Sequence, residues 1–436
     1  MRENKLLREF ARYASWSVLG MLGLSCYILA DTFFVARGLG SGGLAALNLA
    51  IPVYNLIAGT GLMLGMGGAI RYTICRSKSE TAEADRMFTN TIYMGVIAAA
   101  LFILAGVFCP DQITKALGAD ETVFAMTRVY LRTLCFFTPA FMVNSILQCF
   151  VRNDGAPHLA MAATVSGSLV NIVLDYLFIF PFNMGMFGAV LATGFSPVTG
   201  IFVMLPWWFG KRRGFHFTKT GMKLRLIREN LALGFPSLIG QLSSGITIIT
   251  FNTIILRLQG NLGVAAYGVI TNIALVVAAV YNGVAQGIQP LISDAYGRGR
   301  NKDAGRVLKY AMAAAVVTSV LTYGWLFVYA EPVAAVFNSE NIPALQTMAV
   351  EGLKLYFLSN IFIGFNIILA MYFAATERVA PAQVLSLLRG VVLIVPAAFI
   401  MAFFWGMTGV WMAVPAVEAA ISLLGAAVYR MYQNGG

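Results

Sequence analysis

Charged and metal-binding side chains are scarce in this sequence. Lys, Arg, Asp and Glu make up 11% of the 436 residues, whereas ordinary soluble domains carry roughly 25%. There are two histidines and five cysteines, and the cysteines show neither CxxC spacing nor a neighbouring histidine. The composition therefore gives no support for a metal centre, a redox motif or a secreted disulfide scaffold.

Apolar residues are correspondingly abundant. They make up 59% of the chain, and the mean hydropathy is +0.76. A helix needs about 20 apolar residues to cross a bilayer, and the sequence offers twelve such runs between residues 14 and 430. The prediction is an all-α polytopic membrane protein with twelve transmembrane helices in two pseudo-symmetric six-helix lobes. Because no small-residue cleavage site precedes Asp31, the first run is interpreted as a helix and not as a signal peptide.

The only long polar connection divides the chain nearly in two. It predicts an N-terminal lobe over residues 1–210 (helices 1–6), a cytoplasmic linker loop over 211–228 and a C-terminal lobe over 229–436 (helices 7–12). Of the 30 Lys and Arg residues, 23 lie on the side that holds both termini and this linker. The positive-inside rule places that side in the cytoplasm. The net charge of +11 is therefore assigned to membrane orientation and not to nucleic-acid binding.

The two halves also resemble each other. A shift of 220 residues aligns Gly43 with Gly263 and Gly67 with Gly287, and a shift of 221 aligns Gly185 with Gly406. Six helices per half start both halves on the same side, so the repeat is parallel about an axis along the membrane normal. Such symmetry favours a two-lobed transporter with a central cavity.

Three carboxylates fall inside apolar runs: Asp31, Asp175 and Glu418. A carboxylate there costs at least about 2.5–3.5 kcal/mol on insertion scales, so it usually faces a cavity. Three structural alternatives stay open. Asp31 could be an interfacial residue paired with Arg37, Asp175 a hydrogen bond to a neighbouring helix, and Glu418 a structural partner of Arg389.

Three segments carry a family resemblance. They are 31–40 (DTFFVARGLG) followed by LAAL, 152–157 (RNDGAP) leading into 171–175 (NIVLD), and 185–193 (GMFGAVLAT). Together they resemble the multidrug and toxic compound extrusion (MATE) family of cation-coupled exporters, over essentially the whole chain. The resemblance implies a two-lobed exporter of organic, often cationic compounds in exchange for protons or sodium ions. It also implies a cation site in the N-terminal lobe, formed by Asp31, Asn171, Asp175 and Thr193.

The sequence departs from the family pattern at two places. Some members carry a second set of acidic residues in helices 7 and 10, where this chain has Gln241 and Asn366. Many members have a proline early in helix 1, where this chain has Trp16 and Ser17. The first departure argues against ion coupling in the C-terminal lobe, and the second argues against a proline-hinged helix 1.

The expected function is a secondary antiporter that exports organic cations through the N-lobe aspartates. Asn144 and Gln148 are candidate substrate contacts, and no cofactor is expected apart from the transported proton or sodium ion. The expected setting is a bacterial-type plasma membrane, with a monomer and cytoplasmic termini. An enzyme is not expected, since neither His158 nor His216 has a second ligand nearby. A lipid-linked oligosaccharide flippase of related architecture is the alternative, although it would need several cavity cations for the pyrophosphate.

Overall fold

The computed structural model describes residues 2–210, 213–338 and 342–434, and every regular element in those ranges is helical. Residues 211 and 212, the first two of the predicted linker, lie outside the described residues. Seven helices form the N-terminal lobe (N-lobe). They are α1 Arg2–Ser77, α2 Thr81–Phe108, α3 Pro110–Ala116, α4 Glu121–Phe136, α5 Thr138–Asn153, α6 Pro157–Ile179 and α7 Gly185–Phe209.

Seven further helices form the C-terminal lobe (C-lobe), with a 3-10 turn and a π turn between some of them. They are α8 Leu224–Gly297, α9 Asn301–Val328, α10 Ala330–Phe337, α11 Pro343–Tyr356, the 3-10 turn Phe357–Ser359, α12 Asn360–Ala375, α13 Val379–Leu387, the π turn Leu388–Val392 and α14 Ile394–Asn434.

Single glycines divide the three longest helices. Gly40, Gly260 and Gly406 have φ of 67°, 63° and 56°, a conformation that only glycine adopts readily. Each break joins two membrane-spanning segments without a loop. Within the described residues, eight helices and the α4–α5 pair, bent by 50°, are long and apolar enough to span a membrane. Three of those eight are the divided helices, so the chain has twelve spans in two lobes, which confirms the predicted fold.

We number these spans in chain order. Spans 1 and 2 are α1 before and after Gly40, span 3 is α2, span 4 is α4 with α5, span 5 is α6 and span 6 is α7. Spans 7 and 8 are α8 before and after Gly260, span 9 is α9, span 10 is α11 with α12, span 11 runs from α13 to Gly406, and span 12 is the rest of α14.

The internal repeat extends to element boundaries. Helices α2 and α9 each have 28 residues and begin 220 positions apart. Helices α5 and α12 each have 16 residues and begin 222 positions apart. The short helices α3 and α10 follow α2 and α9 at equivalent places. The two lobes therefore repeat the same arrangement of helices.

The lobes meet at the end of the spans that carries the start of α1, the end of α14 and the turns at 78–80 and 298–300. We call this end the basic face, and the end with Gly40, Gly260 and Gly406 the opposite face. Near the basic face, a Cβ added at Gly67 would clash with the Asn230 carbonyl, and one added at Gly287 would lie 2.8 Å from Ala14. Glycine at these positions lets the helices of the two lobes approach backbone to backbone.

Polar contacts join the lobes in the same region. Asn153 and Gln289 exchange side-chain hydrogen bonds of 2.8 and 3.0 Å. Arg71 of span 2 forms ion pairs with Glu377 at 2.6 Å and with Glu229 at 3.0 Å, both of the C-lobe. These contacts hold the basic-face ends of the two lobes together.

The segment before α8 is extended and packs across the N-lobe. Phe215 is fully buried, with its ring centroid 4.7 Å from that of Phe88. The backbone N–H of Gly214 donates to Asp154 at 2.7 Å, and that of Lys223 donates to Asn90 at 3.0 Å. Helix α8 begins at Leu224, so the last five residues of the 211–228 segment are helical.

Candidate functional site

The four residues of the predicted cation site come together inside the N-lobe. Asp31 lies on span 1, nine residues before the Gly40 break, while Asn171 and Asp175 lie one turn apart on α6, and Thr193 lies on α7. Asn171 and Asp175 have no exposed surface, and Thr193 and Asp31 are 3% and 8% exposed. This N-lobe pocket lies in the half of the lobe nearer the opposite face.

The two carboxyl groups are neighbours without a counter-ion. Asp31 and Asp175 lie within hydrogen-bonding reach of each other, and the Oδ1 atom of each is buried with no hydrogen-bond partner. Among the described residues, no basic side chain forms an ion pair with either carboxyl group. Arg37, the partner considered for Asp31, is exposed instead. Since like charges repel and burial disfavours the charged form, this pair needs a proton or a cation.

Asn171 links the carboxyl pair to α7. In the amide orientation that satisfies its neighbours, Asn171 Nδ2 donates to Asp175 Oδ2 at 3.1 Å, and Oδ1 accepts from the Thr193 backbone N–H at 3.2 Å. The Thr193 hydroxyl donates to the Ala189 carbonyl at 3.1 Å, one turn back on the same helix. Asn171 therefore positions Asp175, while the Thr193 oxygen retains lone pairs for a further donor.

Three tyrosines complete the pocket, and the predicted cation site did not include them. The Tyr27 and Tyr54 hydroxyls lie 2.5 Å apart, and the Tyr130 hydroxyl lies near the Thr193 side chain. All three phenols lie near the Asp31 carboxyl group. Tyr27 precedes Asp31 by one helical turn, which is a signal that spacing could have supplied. Tyr54 and Tyr130 come from other spans and have no such signal.

Asn144 and Gln148 lie on α5, away from the aspartates. Gln148 Nε2 donates to Asn144 Oδ1 at 3.2 Å, and Gln148 Oε1 accepts from Thr164 at 3.1 Å. Thr164 precedes Asn171 by seven residues on α6, or about 10 Å of helix. The structure therefore does not bring these amides into the N-lobe pocket, and their contact with substrate stays a prediction.

The C-lobe carries its embedded carboxylate in a different setting. Glu418 forms an ion pair of 2.9 Å with Arg389, as the structural alternative for Glu418 anticipated. Asn366 donates to the same carboxylate at 2.7 Å. Across the described ranges, no group of three or more His, Cys, Asp or Glu side chains is arranged to bind a metal ion. The N-lobe pocket is thus the place where buried carboxyl groups lack a fixed partner.

Comparison with known proteins supports the same architecture. The MatE family model matches residues 17–177 and 236–400. The multidrug export protein MepA of Staphylococcus saprophyticus is 25% identical over 414 residues, which cover 94% of this chain and 90% of that protein. MepA of Staphylococcus aureus strain bovine RF122 is 25% identical over 428 residues, which cover 97% and 93%.

A solved structure has the same fold. It is described as the outward-facing conformation of a multidrug resistance MATE family transporter of the MOP superfamily. The TM-score is 0.92 at 23% sequence identity, over 100% of this chain and 98% of that one. At this identity the likeness concerns the fold, and both lobes are included in it.

Proposed function

The chain belongs to the MatE family, and on that premise we propose that it is a secondary antiporter that exports organic cations in exchange for protons. Its relatives are named as multidrug export proteins, and it is a multi-pass membrane transporter of small molecules and not an enzyme. The exchanged ion, the charge of the cargo and the roles of individual residues are our proposal.

The observation that carries the proposal is the unpaired Asp31–Asp175 carboxyl pair. Both groups are buried, adjacent and without a basic partner in the described part of the chain. A proton held between them removes one negative charge, whereas an organic cation near them would replace that proton. Proton and cargo therefore compete for one site, and such competition is what exchange requires.

Protons are favoured over sodium by the neighbours of the pair. Asn171 offers Asp175 an amide N–H and not its carbonyl oxygen, and tyrosine hydroxyls line the remainder of the pocket. Hydrogen-bond donors suit a carboxyl pair that shares a proton. Sodium would instead need several oxygen ligands, and the oxygens of Asp31, Asn171, Asp175 and Thr193 would supply them after the Asn171 amide turned over.

The lobe packing gives the exchange its direction. If the basic face is cytoplasmic, as its Lys and Arg excess favours, the inter-lobe contacts at Gly67, Gly287 and Asn153 close the cytoplasmic side. Protonation from outside would then release cargo outward and favour return to the inward-facing state. A ligand shifts this equilibrium only by its differential affinity for the two states, and the carboxyl pair supplies that difference.

The other proposed properties follow from the same arrangement. We place the protein in a bacterial-type plasma membrane as a monomer, with both termini and the 211–228 linker in the cytoplasm. The flippase alternative is less favoured because Arg389, a cation deep in the C-lobe, is paired with Glu418. A pyrophosphate carries several charges and would need more than one partly neutralised arginine.

The test is gradient-driven cation transport in proteoliposomes. An imposed proton gradient should drive accumulation of a fluorescent organic cation by the wild type, while Asp31→Asn and Asp175→Asn should each abolish it. Asp111→Asn is the matched control, since Asp111 is a partly exposed carboxylate paired with Arg128. Transport at the wild-type level by either pocket variant would refute the proposal. Transport driven by a sodium gradient and not by a proton gradient would show that the coupling ion is sodium.

A further inference from the structure

The C-lobe contains an ion pair deep within its helices. Arg389 lies in the π turn of span 11, Glu418 in span 12 and Asn366 in span 10. Each is at least nine residues, about 14 Å of helix, from the nearest end or break of its span. A guanidinium at this depth faces a water-filled cavity or the bundle interior and not lipid.

Protein donors occupy both oxygens of the carboxylate. Arg389 donates to Glu418 Oε1 from Nη2 at 2.9 Å and from Nε at 3.1 Å. Asn366 Nδ2 donates to Glu418 Oε2 at 2.7 Å, and Ser422 donates to Asn366 Oδ1 at 3.1 Å. Glu418 is thus fixed from two sides, and it holds the guanidinium in one orientation.

The other edge of the guanidinium has no such partner. A guanidinium has five N–H donors, and within the described residues the Nη1 atom of Arg389 has no hydrogen-bond partner. The Arg389 side chain is 22% exposed, whereas that of Glu418 is 7% exposed. The buried carboxylate therefore supports an arginine that is partly exposed and whose Nη1 donors, among the described residues, are free for a ligand.

The π turn that carries Arg389 packs against span 7, which in turn contacts the N-lobe. The π turn Leu388–Val392 contains Gly390, at which a Cβ would clash with the Ser243 hydroxyl of span 7. On the same span, the Leu238 and Gln241 side chains lie 2.9 and 3.1 Å from a Cβ added at Gly59 of span 2. Span 7 therefore contacts both the turn and the N-lobe.

We propose that Arg389 is an anion subsite that binds a carboxylate of the transported molecule, so that zwitterions bind more tightly than matched cations. This inference rests on the proposed transport function and narrows its substrate class. A carboxylate fits the planar N–H fork of arginine, and Glu418 keeps that fork from turning away. A zwitterion would also match both lobes, because the N-lobe pocket is acidic and the C-lobe offers this cation.

The test compares two dyes that differ by one group. A rhodamine with a free benzoate carboxylate and its methyl ester would be titrated into purified wild-type protein, with binding followed by fluorescence polarisation. The wild type should bind the acid more tightly than the ester. Arg389→Gln should weaken binding of the acid about tenfold or more, as expected for a lost charge-assisted hydrogen bond, and leave ester binding nearly unchanged.

Two further variants keep the result interpretable. Arg389→Gln alone leaves Glu418 buried without its cation, so Arg389→Gln/Glu418→Gln removes both charges and should show the same selective loss. Arg257→Gln, at an exposed arginine of the C-lobe, should change neither affinity. Equal binding of the two dyes by the wild type would overturn the subsite, and so would a parallel loss of both dyes in the double variant.

The same dyes separate this inference from the proposed function. Proton-driven uptake of the ester into proteoliposomes tests the antiport without involving Arg389. Failure of that uptake, together with selective binding of the acid, would refute the antiport and leave the anion subsite standing. Proton-driven uptake of the ester, together with equal binding of acid and ester, would support the antiport and refute the anion subsite.

Discussion

The two lobes have the same arrangement of helices and differ in the side chains that pack inside it. With the offsets of 220–222 residues that align their helices, Asp31 of the N-lobe corresponds to Phe251, Tyr130 to Gly352 and Thr193 to Val414. Three polar positions of the N-lobe pocket thus have apolar residues at the matching positions of the C-lobe. All three C-lobe residues are buried.

Aromatic rings fill the C-lobe counterpart of the pocket. Phe251 stacks on Tyr267 with ring centroids 5.4 Å apart, and Tyr267 stacks on Trp411 at 6.3 Å. Gly352 makes room for Trp411, since a Cβ there would lie 3.2 Å from the indole. One lobe therefore carries two unpaired carboxyl groups where the other carries a packed core. We infer that ion exchange belongs to the N-lobe and that the C-lobe serves as scaffold and substrate contact.

The sharpest way to break this comparison is to put an aspartate into the aromatic core. Phe251→Asp copies Asp31 onto the matching position, but there the carboxylate would be buried among stacked rings without Asn171, Asp175 or the tyrosines. We expect a loss of about 4 kcal/mol or more in unfolding free energy. Thermal unfolding in detergent measures it, with Phe251→Leu as the control that keeps the site apolar. Wild-type stability of Phe251→Asp would mean that the C-lobe position is as polar as its counterpart.

A second prediction concerns the space that Gly352 leaves. Gly352→Ala should destabilise the protein by about 1–3 kcal/mol, because the added methyl clashes with Ile270 and presses on Trp411. Gly324→Ala is the matched control, since a Cβ at Gly324 meets nothing within 4 Å. It should gain up to about 1 kcal/mol from helix propensity alone. Similar melting shifts in both variants would show that the stack is not tightly packed.

The third prediction separates substrate contact from ion coupling. Asn366→Ala removes one donor from Glu418 and should cost about 1–3 kcal/mol of stability, and Gln241→Ala should cost less because Gln241 is only half-buried. Both should weaken substrate handling in part while proton-driven exchange persists in proteoliposomes. Loss of coupling in either variant at normal expression would show that the exchange does not belong to the N-lobe alone.

The smallest expected effect lies where the lobes meet. Arg71→Gln removes two partly exposed ion pairs that cross to the C-lobe, and such pairs contribute about 1 kcal/mol or less. We expect the basic face to open several-fold more often, measured by spin-label distances between residues 78 and 300. Arg86→Gln is the control, because Arg86 pairs with Glu83 inside the N-lobe. An unchanged distance distribution in Arg71→Gln would show that these ion pairs do not stabilise the closed basic face.

Hydropathy and charge predicted most of the fold. Apolar runs of span length, the Gly67–Gly287 and Gly185–Gly406 matches and the single polar linker predicted twelve spans in two lobes, and these are confirmed. The sequence did not predict the continuous helices through residues 36–45 and 257–263, where a single glycine with positive φ replaces a loop. The short helices α3 and α10 were also missed, because they are too brief to produce an apolar run.

The candidate site was only partly accessible to sequence reasoning. The spacing of Asn171 and Asp175 predicts a shared helix face, but the approach of Asp31 depends on how span 1 packs on span 5. The phenols of Tyr54 and Tyr130 and the partnership of Arg389 with Glu418 depend on packing between spans in the same way. The π turn that carries Arg389 has no signature in an apolar run.

The central claim is that proton and cargo compete for the Asp31–Asp175 pair. Proton release on cargo binding tests it most directly, with purified protein in weakly buffered detergent solution and a pH-sensitive dye. Addition of a saturating organic cation should release up to one proton per protein from the wild type and none from Asp175→Asn. No release from the wild type in the pH range where it binds the cation, or the same release from Asp175→Asn, would contradict the account.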